Sequence, residues 1–566
     1  MVWDKQTILL KLQVPQSEEE AEVWQNSKWL NRDNVPLPPS RRNWGMWSYA
    51  GFWITSGVNV SGWASGASLM SLGLTVSQAM IVNVLGGFLV AAVIVCTGQM
   101  GARWHVGFPM WNRMVWGLRA SYFPLINRII LSFTWCATQG WLGAQCLKTL
   151  IGSIIPGIYT MKNTMPVSTG MTSADFLCFV LFTLITIPCL LIPPEKLRIP
   201  MITIASCSSI TAIIMFIWSL ARAGGGGPLL RSEGLELVGV EAAKGANLVW
   251  AIFHGLSASL GAICAGILSQ SDYTRFARRP IDPLVSQVII APISGTIVCV
   301  IGLICASSAA KIYPEEPLLW TPYGLLTAIQ LHENTKGARA AVFFASLVFT
   351  LAQLGINIPG NCLSGGIDLT SLLPKYINIR RGAYITLVMS IAMCPWALSS
   401  GATAFISVMS GYAVFLAPMT GLMVFDYFFV HKRQVKLSAL YDATPNSVYW
   451  YWKGCNWRTI VAWIMGVWPT FPGFLHSVGA KVTISLPWSR IYYLCWPLGF
   501  FVSGIVYLIL CKISPLSGIG EVDDEDIFGT HGPPNVPQVE GDEEKEQINE
   551  DSKDLVHEVA IVQVRE

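Results

Sequence analysis

Apolar runs of roughly twenty residues recur along the chain, each closed by a short polar connection. They fall near 47–69, 76–98, 126–154, 173–193, 199–222, 247–270, 284–308, 340–364, 382–400, 402–429, 459–477 and 489–512. Each is close to the ~20 residues that a helix needs to cross a bilayer, so the pattern predicts an all-α polytopic membrane protein with twelve transmembrane helices. Only Ser399, Ser400 and Gly401 are left to turn the chain between the ninth and tenth runs. Residues 1–46 are polar, with Pro36, Pro38, Pro39 and Arg41-Arg42 ahead of the first run. No secretory signal fits there, because the first apolar stretch is too long and too far from Met1. Three regions follow: an N-terminal segment (1–46), a helical body (47–512) and a polar tail (513–566).

Composition agrees with the pattern. The 566 residues are 52% hydrophobic and 13% charged, whereas about a quarter of a soluble domain is charged; a soluble enzyme is excluded on that ground. The net charge of +3 conceals a division. Residues 514–566 hold 15 Asp or Glu against 3 Lys or Arg, a net −12, which leaves +15 for residues 1–513. With the N-terminus inside, the basic residues fall in the cytoplasmic connections, among them Arg103, Arg113, Arg119, Lys196, Arg275, Arg278, Arg279, Lys375, Arg380, Arg381, Lys432 and Arg433. This positive-inside bias places both termini in the cytoplasm. Low hydrophobicity and high charge predict a disordered tail, in which Lys545 and Lys553 are candidate ubiquitin acceptors for trafficking machinery. The 14 cysteines show no CxxC and lie mostly in apolar runs, as small buried hydrophobes.

Polar or Gly/Pro-interrupted stretches within a span carry the chemistry, because hydrocarbon satisfies no polar group. In the first span, Thr55-Ser56-Gly57-Val58-Asn59-Val60-Ser61-Gly62-Trp63 predicts a local unwinding. In the third, Trp135 and Gln139 are four apart and share a helix face; an indole beside a carboxamide can stack on a planar heteroaromatic ring while bonding in its plane. The sixth span is rich in small residues around Ile263 and Cys264, contains His254 and closes on Ser269-Gln270-Ser271-Asp272. A second broken helix there would pair with the first in an inverted five-helix repeat. In the eighth, Asn357 and Asn361 share a face around Pro359, and burying both in lipid would be costly; they should face a cavity or each other.

No phosphate-binding loop, dinucleotide fingerprint, HExxH or arginine ladder occurs, and no acid, base and nucleophile assemble into an enzyme site. A neutral, amide-rich interior suits binding and release of a small polar solute. At these residues the chain resembles the nucleobase cation symporter-1 family, in particular its fungal uracil, allantoin and uridine permease branch. The likeness runs through Asn31-Arg32-Asp33, Arg41-Arg42-Asn43-Trp44, SDYTRFARR (from Ser271), GGIDLTSLLPKYINIRRGAYI (from Gly365), MCPWALSS, SGYAVFLAPMTGLMVFDYF and KGCNWRTIVAW.

The resemblance implies a LeuT-like five-plus-five inverted repeat with helices 1 and 6 broken and alternating access to a midplane site. It implies that Trp135, Gln139 and Asn361 bind the substrate, with Asn357, Asn59, Ile263 and Cys264 completing the pocket. Ile263 stands where relatives often present an aromatic, which bears on substrate identity. A sodium-dependent bacterial member of the family uses two adjacent threonines before the first eighth-helix asparagine; here Gly355-Ile356 stand there, so two hydroxyl ligands for a hard cation are missing. Proton symport without cofactor or metal is the expectation, with His254 and Asp272 as candidate coupling groups. The expected function is plasma-membrane import of a planar nucleobase-type heterocycle. The alternatives are thiamine or nicotinamide riboside transport within the family and a transporter-like nutrient receptor.

Overall fold

The computed structural model describes residue 13 and residues 35–192, 198–442 and 444–526. Among them the chain is helical, with two isolated bridges, Trp44 with Ala277 and Trp452 with Cys455, and no strand. Twelve helical units follow in order: α1a (Met46–Gly57) and α1b (Val60–Ser68), α2 (Val76–Trp104), α3 (Tyr122–Ile154), α4 (Ser173–Cys189), α5 (Arg198–Ala223), α6a (Ala246–Ala262) and α6b (Cys264–Leu268), α7 (Asp282–Ile312), α8 (Lys336–Leu372), α9 (Ile379–Ala392), α10 (Ala402–Val430), α11 (Trp457–Val467) and α12 (Cys495–Ile513). Six of these, α2, α5, α7, α8, α10 and α12, are each long and apolar enough to cross a membrane unaided. The others are interrupted, as α1 and α6 are, short, or polar along one face, as α3 is.

Local chemistry sets several boundaries. Thr75 and Gln78 form a reciprocal capping box at the start of α2, and Thr172 with Asp175 does the same for α4. Thr335 and Asn378 cap α8 and α9 by accepting from Ala338 and Arg381 backbone N–H groups. Between α9 and α10 the turn is longer than the sequence suggested. Helix α9 ends at Ala392, Cys394 takes a left-handed conformation and a short helix, Pro395–Leu398, precedes Gly401. Two helices between spans were not foreseen, Phe108–Trp116 and Pro322–Glu333. Both are shorter than a bilayer crossing and so fall below a hydropathy reading.

The predicted interruptions are present. Helix α1 breaks at Val58–Asn59 and α6 at Ile263, the first members of the two groups of five. In α8 the proline does not sever the helix. Ile358–Leu363 instead widens to a π-helical turn, which absorbs the bond Pro359 cannot donate. Helix α1b lies hard against α7: a Cβ on Gly302 would sit 2.5 Å from the Trp63 carbonyl oxygen, the close approach that small residues permit in membrane bundles. Outward faces are apolar, as in the exposed Ile202, Ile210, Ile213, Ile214 and Ile217 of α5.

The described stretches that flank the helical body, residues 35–45 and 514–526, lie at one end of the bundle. Arg42, ahead of α1a, is drawn down to about 10 by burial, an effect that nearby Asp526 partly opposes. Part of the acidic tail packs here. Asp523 accepts from the backbone N–H (3.1 Å) and hydroxyl of Ser438, and Lys436 pairs with Glu521 at 3.0 Å. Residues 514–526 are thus folded against the α10–α11 connection, where basic loop charge meets acidic tail charge. The remaining tail, with Lys545 and Lys553, lies outside the described residues.

Candidate functional site

The two helix breaks open onto a cavity of about 340 Å³, lined chiefly by α1, α2, α3, α6, α7 and α8. Helix α3 contributes Arg128, Ser132, Trp135 and Gln139, whose 4-3-4 spacing is one helix face. From α8 come Ile356, Pro359, Gly360, Asn361 and Ser364; Asn59 and Ile263 line the cavity at the breaks themselves.

A directed chain of hydrogen bonds ties these elements together. Gln353 donates through Nε2 to Gln139 Oε1 (2.7 Å), Gln139 Nε2 to Ser61 Oγ (2.8 Å), and Ser61 Oγ to Asn59 Oδ1 (2.6 Å). Asn59 Nδ2 closes onto the Ser56 carbonyl at 2.8 Å, while its Oδ1 also accepts from Gly62 N–H at 3.0 Å. Val60 N–H donates back to Gln353 Oε1 at 3.3 Å. A helix break orphans backbone donors and acceptors. Here Asn59 serves both half-helices and Gln353 reaches in from α8, so side-chain amides hold the unwound segment open. Asn59 lines the cavity with its carboxamide already engaged as a double cap.

Asn361 donates through Nδ2 to Asn357 Oδ1 at 2.9 Å, and Asn357 donates to the Cys136 carbonyl at 3.2 Å. Among the described residues no group donates to Asn361 Oδ1, which leaves that oxygen and one N–H for a solute. Asn357 is buried behind Asn361 and does not line the cavity; both of its amide atoms are committed to positioning. Cys264 also lies off the cavity, in the core formed with Trp496 and Cys495. The structure therefore brings Trp135, Gln139, Asn361, Asn59 and Ile263 to one cavity, and sets Asn357 and Cys264 one layer back.

The candidate coupling groups part company. His254 packs against α12 and its approach, stacked on Tyr493 with ring centroids 4.5 Å apart, away from the cavity. Asp272 joins a buried cluster that sequence reasoning did not assemble. Arg128 of α3 meets Asp272 Oδ2 at 2.7 Å and Asp368 Oδ2 of α8 at 2.8 Å. Its guanidinium also lies 4.7 Å over the Phe108 ring, and Phe108 N–H donates to Asp272 Oδ1 at 2.8 Å. The Asp368 contact is short but off the hydrogen-bonding axis, since neither of its oxygens has a hydrogen-bond partner among the described residues; it is an ion pair held by charge. Arg128 thus bridges two carboxylates beside the cavity, and the Arg275 guanidinium also approaches the Asp272 side of the cluster near Gly107.

Two signals for the missed residues were available. Gln353 precedes Asn357 by the same four residues that separate Asn357 from Asn361, and Arg128 lies seven before Trp135. A third, Gln270, lines the cavity from the helix Gln270–Thr274.

Residues 36–499 match the family model described as permease for cytosine/purines, uracil, thiamine, allantoin. The allantoin permease of Saccharomyces cerevisiae is 34% identical, over 86% of this chain and 76% of its own length. The uridine permease of the same yeast is 35% identical, over 86% and 75% respectively. In fold the chain is similar to the inward-facing conformation of Mhp1, with a TM-score of 0.66, 20% identity and coverage of 88% of this chain and 97% of that one. These are transporters and not enzymes, and with an all-helical multi-pass fold shared with Mhp1 the chain belongs to the nucleobase cation symporter-1 family of permeases.

Proposed function

We propose that the chain imports a planar nucleobase-type heterocycle, such as uracil, allantoin or a related nucleobase or nucleoside, by proton symport across the plasma membrane. Both termini would then be cytoplasmic, and access to the cavity would alternate between the two sides. The observation that carries this reading is the cavity at the paired helix breaks, where the Trp135 indole, the Gln139 carboxamide and the Asn361 carboxamide converge. An indole offers a flat face, Asn361 offers its carbonyl oxygen and one N–H, and Gln139 keeps one N–H beyond its bond to Ser61, the groups a lactam ring needs.

For coupling, the carboxylates of the Arg128–Asp272–Asp368 cluster are the proposed proton acceptors, because the cluster borders the cavity and joins α3, α8 and the helix after α6b. Asp272 keeps its place as a coupling group and gains Asp368 as partner; His254, stacked outside the cavity, recedes. Gly355-Ile356 offer no side-chain oxygen to a hard cation. Ile263 at the α6 break is slimmer than an aromatic ring, which favours the alternative of a larger solute such as thiamine or nicotinamide riboside.

Radiolabelled uptake in transport-deficient cells over uracil, uridine, allantoin, cytosine, thiamine and nicotinamide riboside tests the reading. Saturable accumulation of a nucleobase-type compound that collapses with a protonophore and persists without sodium is expected. A requirement for sodium would overturn the coupling, and transport confined to thiamine would overturn the substrate class.

A further inference from the structure

Gln270 is 1% exposed, lines the cavity, and neither its Nε2 nor its Oε1 has a hydrogen-bond partner among the described residues. Its backbone is held in place by its neighbours. The helix Gln270–Thr274 is clamped on α2: Thr274 Oγ1 donates to the Gly98 carbonyl at 2.7 Å, and a Cβ on Gly101 would lie 2.4 Å from the Ser271 carbonyl oxygen. A buried polar group left without a partner destabilises the fold, and here one side chain carries two. An apolar residue of the same length would avoid that cost, so the carboxamide is expensive to the fold by itself.

A second orphaned donor belongs to another residue that lines the cavity. The Trp53 indole Nε1 on α1a is buried without a partner, and its backbone is fixed by Ser294 Oγ, which donates to the Trp53 carbonyl at 3.3 Å. Trp53 precedes Asn59 by six residues, about 9 Å of helix rise, and Gln270 follows the α6 break by seven. Because α1 and α6 run in opposite senses through the bundle, both residues lie on the terminus-bearing side of the breaks. They supply the groups that the central cavity has in Trp135 and Gln139, a flat indole and a carboxamide.

We propose that Gln270, with the Trp53 indole N–H, forms a second recognition position for the N–H/C=O edge of a lactam or imide heterocycle, between the central site and the terminus-bearing end of the cavity. A carboxamide and a lactam edge complement each other through two antiparallel hydrogen bonds, one given and one taken, and the indole N–H adds a donor for a second carbonyl. A cation finds no charge partner in this pair. The proposal rests on the reading of the solute as a planar heterocycle.

The test uses the full chain, in cells and purified into nanodiscs, with radiolabelled uracil and allantoin as probes. Q270L, and Q270M as a second apolar variant, should fold with a thermal midpoint at or above that of the wild type without solute. Binding should fall from two equivalents per chain to one, the half-saturating concentration for uptake should rise about tenfold, and N361A should instead weaken the other equivalent. Wild-type accumulation of either probe, with Q270L matching wild type in stoichiometry and uptake, overturns the second position and leaves the transport reading standing. Loss of folding in both apolar variants shows Gln270 to be structural and overturns it also. Accumulation of neither probe by the wild type overturns the transport reading, and this proposal with it.

Discussion

Arg128 is the most consequential charge in the membrane body, and removing it gives a quantitative test. The side chain is buried with Asp368, which is fully enclosed, while Asp272 keeps 12% of its side-chain surface. Arg128→Met preserves the aliphatic length but strands two carboxylates beside the cavity. Removing one partner of a buried ion pair costs about 3–5 kcal/mol, because the charge left behind cannot return to water. Three helices are tied here, α3 through Arg128, the stretch after α6b through Asp272, and α8 through Asp368, so the loss should appear as global destabilisation. R128M should therefore lower the thermal midpoint of the detergent-solubilised, fluorescent-protein-tagged chain markedly, read as the monodisperse fraction after heating. R128M/D368N should recover a large part of that loss, since the second change removes the more deeply buried stranded charge. A double variant no more stable than R128M, or R128M indistinguishable from wild type, would refute the argument that charge balance holds these helices together.

Further outcomes follow from the same geometry. Asn361→Ala should raise the half-saturating concentration for uptake about tenfold or more with normal surface expression; Asn357→Ala should act less directly, through loss of the anchor at the Cys136 carbonyl, and lower folding yield as well. Asn59→Ala removes a cap worth about 0.5–2 kcal/mol together with the bond to the Ser56 carbonyl, and a lowered thermal midpoint with impaired uptake is expected. Gly302→Ala drives a methyl into the Trp63 carbonyl and should cost about 1–3 kcal/mol, visible in the same heating assay. At the end of α10, burial lowers the His431 imidazole but Asp426, 3.2 Å away, outweighs it and holds the group above its ordinary value. A raised histidine stabilises the fold below its unfolded pKa and loses that contribution as pH rises through the folded one. The wild type should therefore lose thermal stability on the alkaline side relative to its acid-side value, and H431Q should flatten that slope.

The fold was legible wherever hydrophobic length or backbone chemistry speaks locally. Gly57 to Gly62 announced the α1 break, and the Trp135–Gln139 and Asn357–Asn361 spacings announced which helices meet the cavity. What sequence could not resolve was depth within a shared face: Asn357 and Asn361 point the same way along α8, yet only Asn361 reaches the cavity, because the π-helical turn at Pro359 re-aims the residues after it. The Arg128–Asp272–Asp368 cluster was illegible for a different reason. Its members are separated by 144 and 240 residues, and each alone reads as a helix-end charge. Gln353 lies on the same face of α8 one turn before Asn357, but its reach into the α1 break depends on how α1, α3 and α8 pack.

The amide chain that holds α1 open also sets how readily α1 can part from its neighbours. Two neutral hydrogen bonds join α1b to the scaffold at this point, Val60 to Gln353 and Gln139 to Ser61. At about 1 kcal/mol net apiece, breaking both shifts an equilibrium by roughly thirtyfold. A solute whose contacts favour one arrangement by only about 2–3 kcal/mol would offset that difference, so the hydrogen bonds at this junction set a low threshold for parting α1b from α3 and α8.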